Sequence, residues 1–107
     1  MELSQYDIIF VNLDPTIGSE MQKTRPAVII SPNEMNKYLN IIVIAPITSS
    51  SNNYPTRFEL NKNKTKGWIV LDQIRTIDRQ RIIKKLDKLS EKEIEKIKQI
   101  LKETFVD

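Results

Sequence analysis

The sequence predicts a mainly β fold with helices, an α+β domain in which a small, strongly bent sheet or barrel holds one short internal helix and carries a longer helix at its end. Three observations lead there. Five apolar, largely β-branched runs are bounded by Pro, Gly, Asn, Asp or Ser. One internal serine and one near the C-terminus each open a helix-start pattern. The last residues repeat apolar positions at helical spacing.

Asp7 to Leu13 is the first strand, and it stops at Asp14-Pro15 because proline fixes φ and lacks a donor. Gly18 closes the turn region, and Arg25 to Ile30 is the second strand, with Pro26 near its start, where a missing N–H is tolerated. Ser31-Pro32-Asn33-Glu34 predicts a serine N-cap, a proline at the first helical position and a capping-box glutamate, then one or two turns to about Tyr38. Asn40 to Ala45 is apolar on both faces and predicts the central buried strand, ending at Pro46-Ile47-Thr48. Ser49 to Pro55 is a polar loop. Thr56 to Leu60 alternates as a half-buried strand does, and Gly67 to Leu71 is another strand, with Trp68 read as core because it opens an apolar run. One or two strands cover Arg75 to Leu89. The terminal helix has Ser90 as its cap, Glu93 completing the box, a Leu89–Ile94 staple, and a stripe of Ile94, Ile97, Leu101 and Phe105 with Ile100 beside it.

All 107 residues form one domain, 39% hydrophobic and 29% charged, the composition of an ordinary globular protein. A chain this short buries roughly two thirds of its unfolded surface, so a homodimer would help it. The first residues carry no basic or apolar leader pattern and the longest apolar run is broken by Pro46, which predicts a cytoplasmic protein with no membrane contact. The net charge of +3 permits a nucleic-acid partner without requiring one. Arg75, Arg79, Arg81, Lys84 and Lys85 crowd together against Asp78 alone, making that segment locally positive.

Histidine and cysteine are both absent. A Cys-His nucleophile pair and the usual zinc-finger sites are therefore excluded, and chemistry falls to Arg, Lys, Thr, Ser, Tyr, Asp or Glu. The informative stretch is the turn-rich loop Asp14 to Glu20, followed by Lys23-Thr24-Arg25 where a β-branched run begins. A guanidinium fixed at the mouth of a strand is a place to bind an anion.

Four blocks, Asn12 to Glu20, Thr24 to Pro32, Ala45 to Ser49 and Leu71 to Asp78, occur in an order and spacing that resembles the MazF/PemK family of toxins. The resemblance implies an SH3-like barrel of the kind shared with CcdB-type toxins, a homodimer, and metal-independent, cofactor-free cleavage of single-stranded RNA at short motifs, leaving 2′,3′-cyclic phosphate and 5′-hydroxyl ends. It also implies a cognate MazE-like antitoxin that lays an acidic, otherwise disordered segment into the RNA groove.

Transesterification by the RNA's own 2′-hydroxyl needs a proton acceptor, stabilisation of the phosphorane's charge and a proton donor for the departing 5′-oxygen. Arg25 is the first candidate as charge stabiliser. Thr48, at the end of the central strand, matches a threonine that family members use to hydrogen-bond the phosphate. Glu20 is the nearest conventional proton acceptor, because an arginine with a pKa above about 12 is a poor base. Thr16, Ser19, Lys23 and Ser49, in the two loops whose shape sets the cleavage motif, are the expected RNA contacts, with Gln73, Arg75 and, as a stacking residue, Tyr54. One branch of the family has an arginine two residues before the Asp-Gln pair, where this chain has Val70, and another has a histidine where it has Ser19.

Each residue has a plainer reading beside the functional one. Arg25 can pair with Glu20 on the surface, Thr48 can cap the Ser49 loop, and Asp72 and Asp78 can hold local turns. Two other functions compete: a non-catalytic gyrase poison or RNA-binding module on the CcdB-like fold, and a metal-dependent nuclease using Asp14, Glu20, Asp72 and Asp78, which form no recognisable ligand motif.

Overall fold

The computed structural model describes residues 2–13, 24–62 and 65–106. Seven strands, β1 (Asp7–Asn12), β2 (Thr24–Ile29), β3 (Ile41–Thr48), β4 (Arg57–Asn61), β5 (Lys66–Val70), β6 (Arg75–Asp78) and β7 (Ile82–Lys88), are joined by two helices, α1 (Asn33–Tyr38) and α2 (Glu91–Phe105). The strands pair antiparallel in the order β4-β5-β3-β2-β1-β7, and β6 pairs with β3 as well. This is the mainly β architecture with an internal and a C-terminal helix that the sequence predicts.

Both faces of the sheet are buried, which is why its strands read as nearly continuous apolar runs. Ile8, Val28, Ala45 and Ile47 point to one face and pack with Leu89 and Ile97, so α2 seals that side. Ile9, Val11, Ala27, Ile29, Ile42 and Ile44 point to the other, with Leu3 and Ile77. The alternation within each strand assigns the face, as a period of two requires.

β3 holds the central place and runs through Pro46 to end at Thr48, within the Pro46-Ile47-Thr48 stop the sequence predicts. Opposite β2, Pro46 faces Ala27. Its other edge changes partner there, from β6 at Ile44↔Arg75 to β5 at Ile47↔Ile69, so the missing donor falls in a gap of the ladder. Leu71 leaves β5 for a 3-10 turn over Leu71–Gln73. β5 approaches β3 closely through Gly67, whose φ of +152° is a conformation L side chains rarely adopt.

The capping of α1 differs from the sequence expectation. Pro32, not Ser31, is the N-cap, and no side chain caps the helix. Ser31 is buried, accepts from the Val43 amide at 3.0 Å and donates to Asn36 Oδ1, while Asn36 Nδ2 donates to the Ser31 carbonyl at 2.9 Å. The serine thus ties α1 to β3. At α2 the predicted capping box is present, with both Ser90 and Glu93 reciprocally bonded. Its stripe ends early, because Phe105 is 53% exposed while Ile97 is fully buried.

The basic segment after β5 is largely structural. Arg79 donates to the carbonyls of Asn36 and Leu39 at the end of α1, Arg81 donates to the Asn12 carbonyl, and Lys85 pairs with Asp7 and bonds the Glu2 carbonyl. Arg75 and Lys84 remain exposed.

Candidate active site

Strand register places the two leading candidates on one face of the sheet. Arg25 faces Val11 across β1, and Ala27 faces Pro46 across β3. Arg25 and Thr48 each lie two residues beyond the Ala27–Pro46 pair that ends this ladder, and the period of two puts both on the face of that pair. Thr48 in turn faces Trp68 on β5, and Trp68 faces Glu59 on β4. One sheet face therefore carries the pair Val11 and Arg25 beyond Ile9 and Ala27, and the row Thr48, Trp68, Glu59 beyond Pro46.

Arg25 is exposed, and among the described residues its guanidinium has no hydrogen-bond or ion-pair partner. The pairing of Arg25 with Glu20, and Glu20, Thr16, Ser19 and Lys23 themselves, lie outside the described residues. Thr48 is half-buried and donates its hydroxyl hydrogen to the Ser50 carbonyl at 2.9 Å, so in the free protein it caps the loop that follows. Donation to a phosphate oxygen means exchanging that bond by a rotation of the hydroxyl, a substitution of similar partners.

The Ser49 to Pro55 loop is held by an arginine the sequence reading passed over. Arg57 donates to Ser51 Oγ at 2.6 Å and to the Asp72 carboxylate at 3.2 and 3.4 Å, and its guanidinium lies 4.9 Å from the Tyr54 ring centroid. Asp72 also accepts from the Thr56 hydroxyl at 2.9 Å. The Arg57 guanidinium, outweighing slight burial and assisted by Thr56, holds the Asp72 carboxyl below the usual carboxylate range. Arg57 stands directly across from Val70 on β5, so its cationic group occupies the neighbourhood where position 70 itself supplies none. Asp78 accepts from the Gln80 amide within its own turn. Asp72 and Asp78 are thus both engaged locally, and among the described residues no group of three or more acidic side chains gathers for a metal ion.

Of the other predicted contacts, Ser49 and Gln73 are exposed, the first just past β3 and the second on the 3-10 turn. Arg75 faces Ile44, whose side chain shares the face of Pro46 and Thr48, so Arg75 stands on the same side as Arg25. Tyr54 is 47% exposed with one ring face toward Arg57. Trp68 departs from expectation: it is half-buried and belongs to neither apolar core. Parity along β5 explains this, since Ile69 and Leu71 take the core side and leave Trp68 and Val70 on the other. Until β3 is identified as the partner of β5, the run Gly67 to Leu71 does not reveal which face Trp68 takes.

An exposed guanidinium and a strand-end hydroxyl on one face, with an arginine-held loop following the hydroxyl, make this a small β-sheet protein with an exposed cationic site. Its relatives give the family. Residues 4–105 match the PemK-like, MazF-like toxin of type II toxin-antitoxin systems, and the chain belongs to that family. Endoribonuclease MazF of Staphylococcus saprophyticus is 38% identical over 97 residues, covering 85% of this chain and 81% of that protein. Endoribonuclease MazF of Staphylococcus epidermidis is 41% identical over 91 residues, covering 79% and 76%. The fold matches MazF in the MazE-MazF crystal structure (Form-II) from Deinococcus radiodurans with a TM-score of 0.86, at 22% identity, over 99% of this chain and 97% of that one.

Proposed function

We propose that this MazF-type endoribonuclease is the toxin of a type II toxin–antitoxin pair, cutting single-stranded RNA at a short sequence motif without a metal ion. The placement of exposed Arg25 and half-buried Thr48 on one sheet face, just beyond the Ala27–Pro46 pair, supports this most directly. In the reaction the 2′-oxygen attacks the neighbouring phosphorus, its proton passes to an acceptor, and the bond from phosphorus to the 5′-oxygen breaks as that oxygen takes a proton. The products are a 2′,3′-cyclic phosphate and a 5′-hydroxyl. Arg25 meets the phosphorane's equatorial charge with a planar fork of donors, and Thr48 adds a hydroxyl donor from the neighbouring strand. Glu20 is the candidate proton acceptor, with Thr16, Ser19, Lys23, Ser49, Gln73, Arg75 and Tyr54 contacting the strand.

The same cationic face suits a cognate MazE-like antitoxin that offers an acidic disordered segment, and the working unit is a homodimer in the cytoplasm. Among the described residues no helix is long and apolar enough to cross a membrane. The test is incubation of the purified protein with a long single-stranded RNA in EDTA, followed by sequencing of the cut ends. Cuts at one motif are expected, reduced about 10²-fold or more in Arg25→Ala and in the near-isosteric Thr48→Val, with unfolding midpoints preserved. Cutting that persists at full rate in both variants refutes the assignment of the site. No cutting by folded wild type, with the strand or a topoisomerase still bound, turns the reading to a binding module.

A further inference from the structure

The sheet face that carries Arg25 and Thr48 continues into two side chains with no role in the chemistry just described. Trp68 and Glu59 are cross-strand partners, Trp68 is also the partner of Thr48, and all share one sheet face. Adjacent strands lie about 4.8 Å apart, so the indole begins one strand away from the threonine. It is half-buried yet outside both cores, and among the described residues nothing accepts its N–H. Glu59 is exposed, and among the described residues its carboxylate has no hydrogen-bond or ion-pair partner. A large aromatic ring in that position contributes little to the core it adjoins.

We infer that Trp68 and Glu59 form a nucleobase subsite beside the scissile phosphate: the indole stacks on one base and the carboxylate accepts from its exocyclic amine. The base is therefore adenine, cytosine or guanine, and uracil, which has no exocyclic amine, is disfavoured. The inference rests on the RNA-cleavage reading above. A phosphate gripped between Arg25 and Thr48 carries its flanking base toward β5, where the next side chain in the row is the indole. Aromatic faces stack on any base, so Trp68 supplies affinity with little selectivity. A carboxylate has only acceptors, so beside a base edge it favours an amine over a carbonyl. The two residues divide the work of holding and choosing.

Trp68 is the single tryptophan of the chain, and its emission reports the subsite with no label. Wild type is titrated with an oligonucleotide that spans the cut motif and carries 2′-O-methyl groups, so that it binds without being cut. Quenched emission is expected. In steady-state cleavage Trp68→Leu, which keeps apolar bulk without a stacking ring, raises KM about 10-fold with kcat within about threefold, and Trp68→Phe recovers part of the difference. Glu59→Gln, whose carboxamide offers a donor as well as an acceptor, relaxes the choice of an amino-bearing base at one position of the sequenced cut sites. Normal cutting by wild type with unquenched emission, or an unchanged KM in Trp68→Leu, overturns the subsite and leaves the cleavage reading standing. Quenching by an acidic peptide but by no RNA overturns it in favour of an antitoxin contact. Wild type that neither binds nor cuts RNA overturns both.

Discussion

Replacing Gly67 with alanine tests the link between the fold and the site at one atom. A Cβ at this position lies 2.3 Å from the Thr48 carbonyl oxygen and 2.9 Å from Ile47 Cγ2, where nonbonded carbons prefer about 3.5–4.0 Å. The obstructing oxygen is backbone, in the strand that ends at Thr48, so no rotamer change relieves the contact. The φ of +152° adds strain that a glycine avoids, about 1–3 kcal/mol. Overpacking of a well-filled site adds about 1–3 kcal/mol more. A total of roughly 3 kcal/mol is a large share of the about 5–15 kcal/mol that holds a domain together. For a chain of this size it lowers the melting temperature by roughly 12–24 °C. Urea and thermal unfolding of Gly67→Ala, followed by Trp68 emission and circular dichroism, measure it. The damage should also reach catalysis, because β5 can only move away from Thr48. Wild-type midpoints in Gly67→Ala would refute the close approach and, with it, the rigid placement of Thr48 against Trp68.

Two further outcomes follow from the packing. Ser31→Ala should destabilise by about 2–3 kcal/mol, more than loss of a typical helix cap, because it strands the Val43 amide and the buried Asn36 Oδ1 together; chemical denaturation checks this. Glu93 is raised by burial but more strongly lowered by the Ser90 amide, Lys62 and the Ser90 hydroxyl, so its folded pKa lies below the unfolded value. Its contribution is then complete above the unfolded pKa of about 4.3 and is lost as pH falls through the folded pKa, so Glu93→Gln should flatten the acid limb of a stability-against-pH curve between those values.

The strands and both helices were legible because their cues are local: β-branched runs, turn residues and a serine cap act over a few residues. Ser31 shows where local cues mislead. Its pattern satisfies the capping rule, yet a buried serine next to β3 gains more by pairing Val43 and Asn36 than by capping a six-residue helix. Arg25 and Thr48 are candidates through the family's blocks, but the sheet face they share was not legible, since it depends on the register of β2 against β3. Arg57 was hidden for the same reason. It reads as one charged residue in an alternating strand, and only the β4–β5 pairing and the return of the Ser49 loop bring Ser51, Tyr54 and Asp72 around it. The crowded arginines after β5 misled in the other direction, because charge counts do not reveal that Arg79 and Arg81 serve backbone carbonyls.

The position of the candidate residues explains how a chain this small keeps a rigid site. Arg25 is two residues from Ala27 and Thr48 is two from Pro46, and both inner residues are fully or nearly fully buried between strands. Each outer residue therefore inherits its direction from a core position through the period of the strand, without dedicated side chains to orient it. The cost falls on the loop side, where Thr48 leaves the sheet and the chain turns through Ser49 to Pro55. There the Arg57–Asp72 pair supplies the constraint that the core no longer provides, binding the loop to the turn after β5. An exposed ion pair alone contributes little, about 0–1 kcal/mol. Shared among Ser51, Thr56, Asp72 and the Tyr54 ring, the same guanidinium fixes a loop, and a loop fixed at its base can present different outer residues to different RNA sequences without disturbing Arg25 and Thr48.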